Sequence, residues 1–188
     1  MKLRVVVLGI PGVGKTTVVQ SLVSMLPGAK LANFGTVMFD EAKTRKWVHD
    51  RDEMRKLPVR RQRALQEGAA TKISRMKERV VLVDTHLFIR TTEGFWPGLP
   101  FEVVRALKPT HLVLVEASSD EILARRTEDK LRYRDALTKE QLDEEKALAR
   151  SLLAVSSSLT GAPMMVVNNA QGKSVEAASI VAKALGKV

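Results

Sequence analysis

An apolar run over residues 3–8 ends in Gly9-Ile-Pro-Gly-Val-Gly-Lys-Thr16, and this octapeptide constrains the fold more than any other stretch. It fits G-x-x-x-x-G-K-[ST], the Walker A pattern, which needs a strand before it, a tight turn, and a helix after it. Both neighbours are present. The run before it is strand-sized, and residues 17–26 follow with helical period until Pro27-Gly28 stops them. Gly9, Gly12 and Gly14 let the backbone close so that its N–H groups point at phosphate oxygens. The helix behind them turns its positive N-terminus toward the same anion. Lys15 is placed to reach the β- and γ-phosphates, and the Thr16 hydroxyl to bind Mg²⁺. The candidate nucleotide-binding segment is therefore Gly9, Ile10, Pro11, Gly12, Val13, Gly14, Lys15, Thr16 and Thr17, with a nucleoside triphosphate and Mg²⁺ as its cofactors.

The rest of the chain repeats this strand–helix alternation. Residues 31–34, 80–83, 111–115 and 164–167 read as further strands, near-continuously apolar where strongest, as strands covered on both faces are. Pro58 opens a basic helix to about residue 78. Ser118 with Glu121, and Thr138 with Gln141, have the spacing of capping boxes, the second ahead of a helix to about residue 159. Residues 174–185 form a last amphipathic helix. The expected architecture is an α/β, doubly wound parallel sheet with right-handed crossovers, in one domain spanning residues 1–188. Residues 85–100 and 127–137 are the least regular and are expected to be functional loops.

A second phosphate-side acid is expected at the end of another core strand, and Val80-Val-Leu-Val-Asp84 supplies it. Asp84 suits Mg²⁺ held directly or through water; a strand-end carboxylate capping a turn is the plainer reading. His86, two residues on, either meets an acceptor or water, or makes a local hydrogen bond.

Charge narrows the partners. The formal net charge is +10, and much of the excess lies between Lys43 and Arg79. Such a balance favours polyanions, although long cationic side chains usually sit on solvated helix faces. The absence of cysteine excludes disulfides and thiolate metal sites. No apolar run approaches the ~20 residues of a membrane span, and the N-terminal run fits a first strand better than a leader, so a cytoplasmic location without membrane contact is expected.

Arg125-Arg-Thr-Glu-Asp-Lys-Leu-Arg-Tyr-Arg-Asp135 concentrates arginines after the fourth strand. Phosphoryl transfer relies on positioning and on stabilising charge at the phosphate oxygens, so a kinase acting on a small molecule carries its own arginines, usually on a closing loop. Arg126, Arg132 and Arg134 are the candidates, with Lys15, for catalysis. Arg125 is expected to pair with Glu121 one turn away or to face water, as is Lys130.

Beyond the Walker loop, several stretches carry a resemblance that runs through nearly the whole chain. They are Asn33-Phe-Gly-Thr-Val-Met-Phe39, Asp50-Arg-Asp-Glu-Met-Arg-Lys-Leu57, Val83-Asp-Thr-His86, Gly98-Leu-Pro100, Ser118-Ser-Asp-Glu-Ile-Leu-Ala-Arg-Arg126 and Arg132-Tyr-Arg-Asp135. In these the chain resembles the nucleoside monophosphate kinases, most closely the archaeal adenylate kinases. The resemblance implies a sheet of order 2-3-1-4-5 and reversible transfer from MgATP to AMP, giving two ADP. It implies an acceptor-binding helical part over about residues 33–79 and a short lid over about 127–137. It places Arg126 against the ATP side, with Arg132 and Arg134 bridging donor and acceptor phosphates. Arg55 and Arg90 would grip the AMP phosphate, with Thr36 and His86 in the acceptor pocket, and the turn over 168–172 would pass the donor adenine. It also implies a homotrimer. The chain departs from the bacterial pattern after the third strand, where Asp84-Thr-His-Leu-Phe-Ile-Arg90 replaces Asp-Gly-Phe-Pro-Arg, and it lacks the long bacterial lid insert.

Two rivals differ in class. One is a kinase for another nucleoside monophosphate. The other is a nucleotide-dependent RNA or ribosome-assembly protein using the basic face, although the interleaved aromatics of an RNA surface are missing and nucleic acid is not the expected partner. Phe95, Trp96 and Trp47 are read as packing or subunit-contact residues, with base stacking the alternative.

Overall fold

The computed structural model describes residues 2–91, 93–128 and 137–186, and for Arg55 and Glu128 the backbone alone. Five parallel strands form the central sheet: β1 (Leu3–Leu8), β2 (Ala29–Asn33), β3 (Val80–Asp84), β6 (His111–Glu116) and β7 (Met164–Asn168). Their order is β2-β3-β1-β6-β7, the expected 2-3-1-4-5 when only these strands are counted. Every residue of β3 is buried, and β1 and β6 are nearly so. Strands with no solvated face need cover on both sides. On one side α1 (Lys15–Met25) packs with α8 (Ser174–Ala184); on the other α4 (Val59–Ser74) packs with α5 (Phe101–Leu107), which reaches α7 (Lys139–Thr160). The core between these layers is almost wholly aliphatic, built on Val5, Leu8, Leu22, Leu82, Leu112, Leu114 and Ile122. Among the described residues no helix is long and apolar enough to cross a membrane.

Both capping boxes form. Ser118 N donates to Glu121 Oε2 while Glu121 N donates to Ser118 Oγ, opening α6 (Ser119–Glu128), and Thr138 and Gln141 exchange the same bonds at the start of α7. The basic segment also behaves as a solvated face: Arg45, Lys46, Arg51, Lys56, Arg60, Arg61, Arg63, Lys72, Arg75, Lys77 and Arg79 are all exposed.

Three details differ from the sequence reading. β2 stops at Asn33 rather than at 34, because the Asn33 side chain accepts from Thr36 N and starts α2 (Phe34–Thr44). α4 ends at Ser74, not near 78, and Arg79 instead offers its carbonyl to Leu3 N at the foot of β1. Residues 85–100 are not irregular: β4 (Phe88–Thr91) and β5 (Gly94–Pro97) pair as an antiparallel hairpin. The signal was present in the sequence as two short runs of aromatic and β-branched residues flanking a glycine. Gly94, at φ 117°, supplies a backbone angle other residues rarely adopt. Phe88 and Phe95 then meet edge to face across the hairpin, ring centres 5.0 Å apart.

Candidate active site

In open α/β sheets ligands bind outside the carboxyl ends of the strands, where the strand order reverses. β1 ends there in the Walker loop, with β3 on one side and β6 on the other. Gly14 caps α1 in the left-handed region at φ 77° and ψ 25°, and a Cβ on it would lie 2.4 Å from Asn169 Nδ2. The first turn of α1 holds no acidic side chain, so the helix carries no carboxylate of its own to compete with a bound anion for its N-terminus.

Lys15 is buried and pairs with Asp84 at the end of β3. Burial pushes its ammonium down to about 8, so it stays charged at neutral pH beside the carboxylate. Asp84 is held at its other oxygen by Asn33 Nδ2, 2.9 Å away. With Thr16, exposed at the mouth of the loop, Asp84 offers a small all-oxygen donor set. That chemistry fits Mg²⁺, which uses few protein ligands and completes its shell with water and phosphate. No cluster of three or more acidic or histidine ligands exists among the described residues, so an all-protein metal cage is not built there.

His86 sits beside this pair. Its Nδ1 lies 3.0 Å from Gly9 O, so Nδ1 carries the proton and Nε2 keeps its lone pair. Burial, aided by the Lys15 charge and opposed by the Gly9 bond, lowers the imidazole to about 4. A neutral histidine can thus accept a hydrogen bond without adding charge.

The loop is braced from behind. Arg125 Nη1 donates to Val13 O at 3.1 Å, Nη2 to Asn169 O at 2.9 Å, and Nε to Gln171 at 3.0 Å. Asn169 Nδ2 donates to the same Val13 oxygen at 2.8 Å. Arg125 does not face water; its expected pairing with Glu121 is present but long, at 3.9 Å. Asn169 falls in the 168–172 turn that the resemblance singled out, but its brace on the loop was not legible in the sequence, because contacts across 156 and 112 residues leave no local pattern. Arg126 donates through Nε and Nη2 to Pro11 O, at 3.1 and 2.7 Å, which sets it over the front of the loop.

On the other flank, Thr36 accepts from Arg51 Nη2 at 2.5 Å and donates to Asn33 Oδ1 at 3.0 Å. Arg51 is a residue the sequence reading passed over, although it stands in the quoted Asp50–Leu57 stretch. Arg90, on β4, donates to the buried Glu145 of α7 at 2.7 Å and lies 4.9 Å over the Phe95 ring. Phe95 is exposed and Trp96 half-buried, while Trp47 carries Arg45 and Arg61 on its ring. The structure brings together Gly9 to Thr17, Asp84, His86 and Arg126. Arg132, Arg134, Lys130 and the Arg55 side chain lie outside the described residues.

Residues 8–143 match the AAA domain family. The adenylate kinase of Pyrococcus furiosus is 42% identical over 180 residues, covering 95% of this chain and 92% of the relative. That of Thermoplasma acidophilum is 42% identical, covering 97% and 98%, and that of Methanocaldococcus jannaschii 43%, covering 88% of each. Among solved structures, a shikimate kinase from Bacteroides thetaiotaomicron superposes with a TM-score of 0.59 at 14% identity over 98% of both chains, a likeness of fold alone.

Proposed function

The chain belongs to the adenylate kinase family, and from that premise we propose how its residues divide the reaction. The reaction is reversible transfer of a phosphoryl group from MgATP to AMP, giving two ADP. The observation that carries the reading is the buried Lys15–Asp84 pair, set where β1 and β3 end beneath a glycine loop.

Residues Gly9 to Thr17 cradle the donor phosphates. Lys15 exchanges Asp84 for a phosphate oxygen, and Asp84 and Thr16 are the residues that would hold Mg²⁺. When bound, Mg²⁺ neutralises phosphate charge and orients the chain of phosphates. Arg126, Arg132 and Arg134 supply positive charge to the oxygens of the group in transit, at a site that must exclude water to prevent hydrolysis. Thr36, Arg55, His86 and Arg90 receive AMP, His86 as a neutral acceptor. One domain carries both nucleotides, with the acceptor part over about 33–79 and the lid over about 127–137. A cytoplasmic homotrimer is the assembly the family resemblance favours.

A coupled assay with ATP, Mg²⁺ and a panel of AMP, UMP, CMP, GMP and water as acceptors tests the assignment. AMP should be preferred, and absence of ADP from ATP plus AMP would sink it. Slow hydrolysis with salt-sensitive RNA binding would support the rival class instead.

A further inference from the structure

Asn33 and Asp84 are registered partners at the carboxyl ends of β2 and β3, and both groups of the Asn33 amide are in use. Its Nδ2 donates to Asp84 Oδ2 at 2.9 Å, while Oδ1 accepts from Thr36 N and Thr36 Oγ1, each at 3.0 Å. Arg51 Nη2 closes on Thr36 Oγ1, and Lys15 on the remaining Asp84 oxygen. A continuous hydrogen-bonded line therefore runs from Arg51 on the helix Arg51–Lys56, through Thr36, Asn33 and Asp84, to Lys15 in the phosphate loop.

We propose that Asn33 is a positioning residue that couples the two nucleotide sites, so that filling the acceptor side strengthens binding on the phosphate side and the reverse. This rests on the reading of Thr36 as an acceptor-side residue. A capping role alone would not account for asparagine. Capping a helix needs only a side-chain oxygen, which serine or aspartate supplies equally well. Serine is too short to reach Asp84, and aspartate would set carboxylate against carboxylate. The amide joins an acceptor and a donor in one rigid plane, so a rotation of Oδ1 toward or away from Thr36 carries Nδ2 with it. When Lys15 turns to a phosphate, Asp84 keeps one fixed partner and stays aligned through Asn33. When an acceptor engages the Arg51–Thr36 pair, it fixes the same amide.

Calorimetry on the full chain tests this. The AMP dissociation constant is measured with and without a saturating, non-hydrolysable ATP analogue plus Mg²⁺, and the analogue's with and without AMP. The two ratios must agree by linkage, and the wild type should show tightening of about fivefold or more. In Asn33→Ser, which keeps a capping oxygen, the ratio should fall below about twofold while each nucleotide alone binds within about threefold of wild type. Asn33→Thr, which also keeps a capping oxygen and adds no charge beside Asp84, should behave alike, and covers the case of poor folding by the first variant. A wild-type ratio near one, a full ratio in either variant, or losses already complete with a single nucleotide would each overturn the inference. A wild type that forms no ADP from ATP and AMP would instead overturn the assignment beneath it.

Discussion

The guanidinium of Arg125 donates to the backbone carbonyl of Val13 at 3.1 Å, joining α6 to the crest of the phosphate loop. A loop whose N–H groups turn inward must turn carbonyls outward, and those need partners when water is scarce. Arg125 and Asn169 share that duty at Val13. Arg125→Ala should destabilise the fold by about 1–3 kcal/mol, a fall in Tm of roughly 3–10 °C, and weaken ATP binding more than AMP binding. Thermal unfolding and nucleotide titration read both. An unchanged Tm would show that the brace carries no weight.

The contrast between Lys15 and Arg125 shows what the sequence could and could not disclose. The phosphate loop has a fixed spacing because backbone geometry dictates it, so Lys15 and Thr16 were legible from local order alone. Strand runs gave the sheet for the same reason. Asp84 was legible by its place after four buried apolar residues. Arg125 differs because its partners come from the phosphate loop and from the turn after β7, and only the tertiary fold sets them together. The β4–β5 hairpin lies between these cases. Its alternation is visible, but it is short and set among polar residues that also fit a loop.

Gly98 offers a second test. A Cβ there would lie 2.2 Å from the His86 carbonyl oxygen, a backbone atom with no rotamer to give way. Gly98→Ala should therefore push the β4–β5 hairpin from the end of β3, at a cost of about 1–3 kcal/mol, and raise KM for AMP. Denaturant unfolding and acceptor kinetics check it; a change under about 0.5 kcal/mol would contradict the contact.

The Arg90–Glu145 pair should respond unequally to loss of either member. The Glu145 side chain is 3% exposed and that of Arg90 32%, so a bereft arginine can turn to water while a bereft carboxylate cannot. Arg90→Ala should thus cost more stability than Glu145→Ala, by about 1–2 kcal/mol. Measured unfolding free energies for both, and for the double variant, decide the order. Equal costs would mean that Glu145 has another route to solvent or a partner.

His86 sets an acid limit. Its folded value near 4 lies below the ordinary 6.5, so below pH 6.5 the unfolded chain takes up a proton that the folded one refuses. Stability attributable to this residue is intact above pH 6.5, falls as pH drops, and levels near pH 4, for a total on the order of 3 kcal/mol. His86→Gln should flatten that limb of the stability–pH curve. A curve of unchanged slope between pH 6.5 and 4 would assign the acid sensitivity elsewhere.

Lys15 sets a limit at the alkaline end. Burial pushes its ammonium down to about 8 in the free protein, so the proton begins to leave at mildly alkaline pH. A bound polyphosphate favours the charged form and raises the value, so binding near this pH must draw a proton from solution. ATP titrations at pH 8 in two buffers of different ionisation enthalpy should report net proton uptake, and affinity should weaken as pH rises further, by up to about tenfold per pH unit. Lys15→Arg, which cannot deprotonate in this range, should abolish the buffer dependence. Heats independent of buffer in the wild type would mean that Asp84 holds the Lys15 proton in place well above pH 8, and that the exchange of Asp84 for phosphate occurs without any change of protonation.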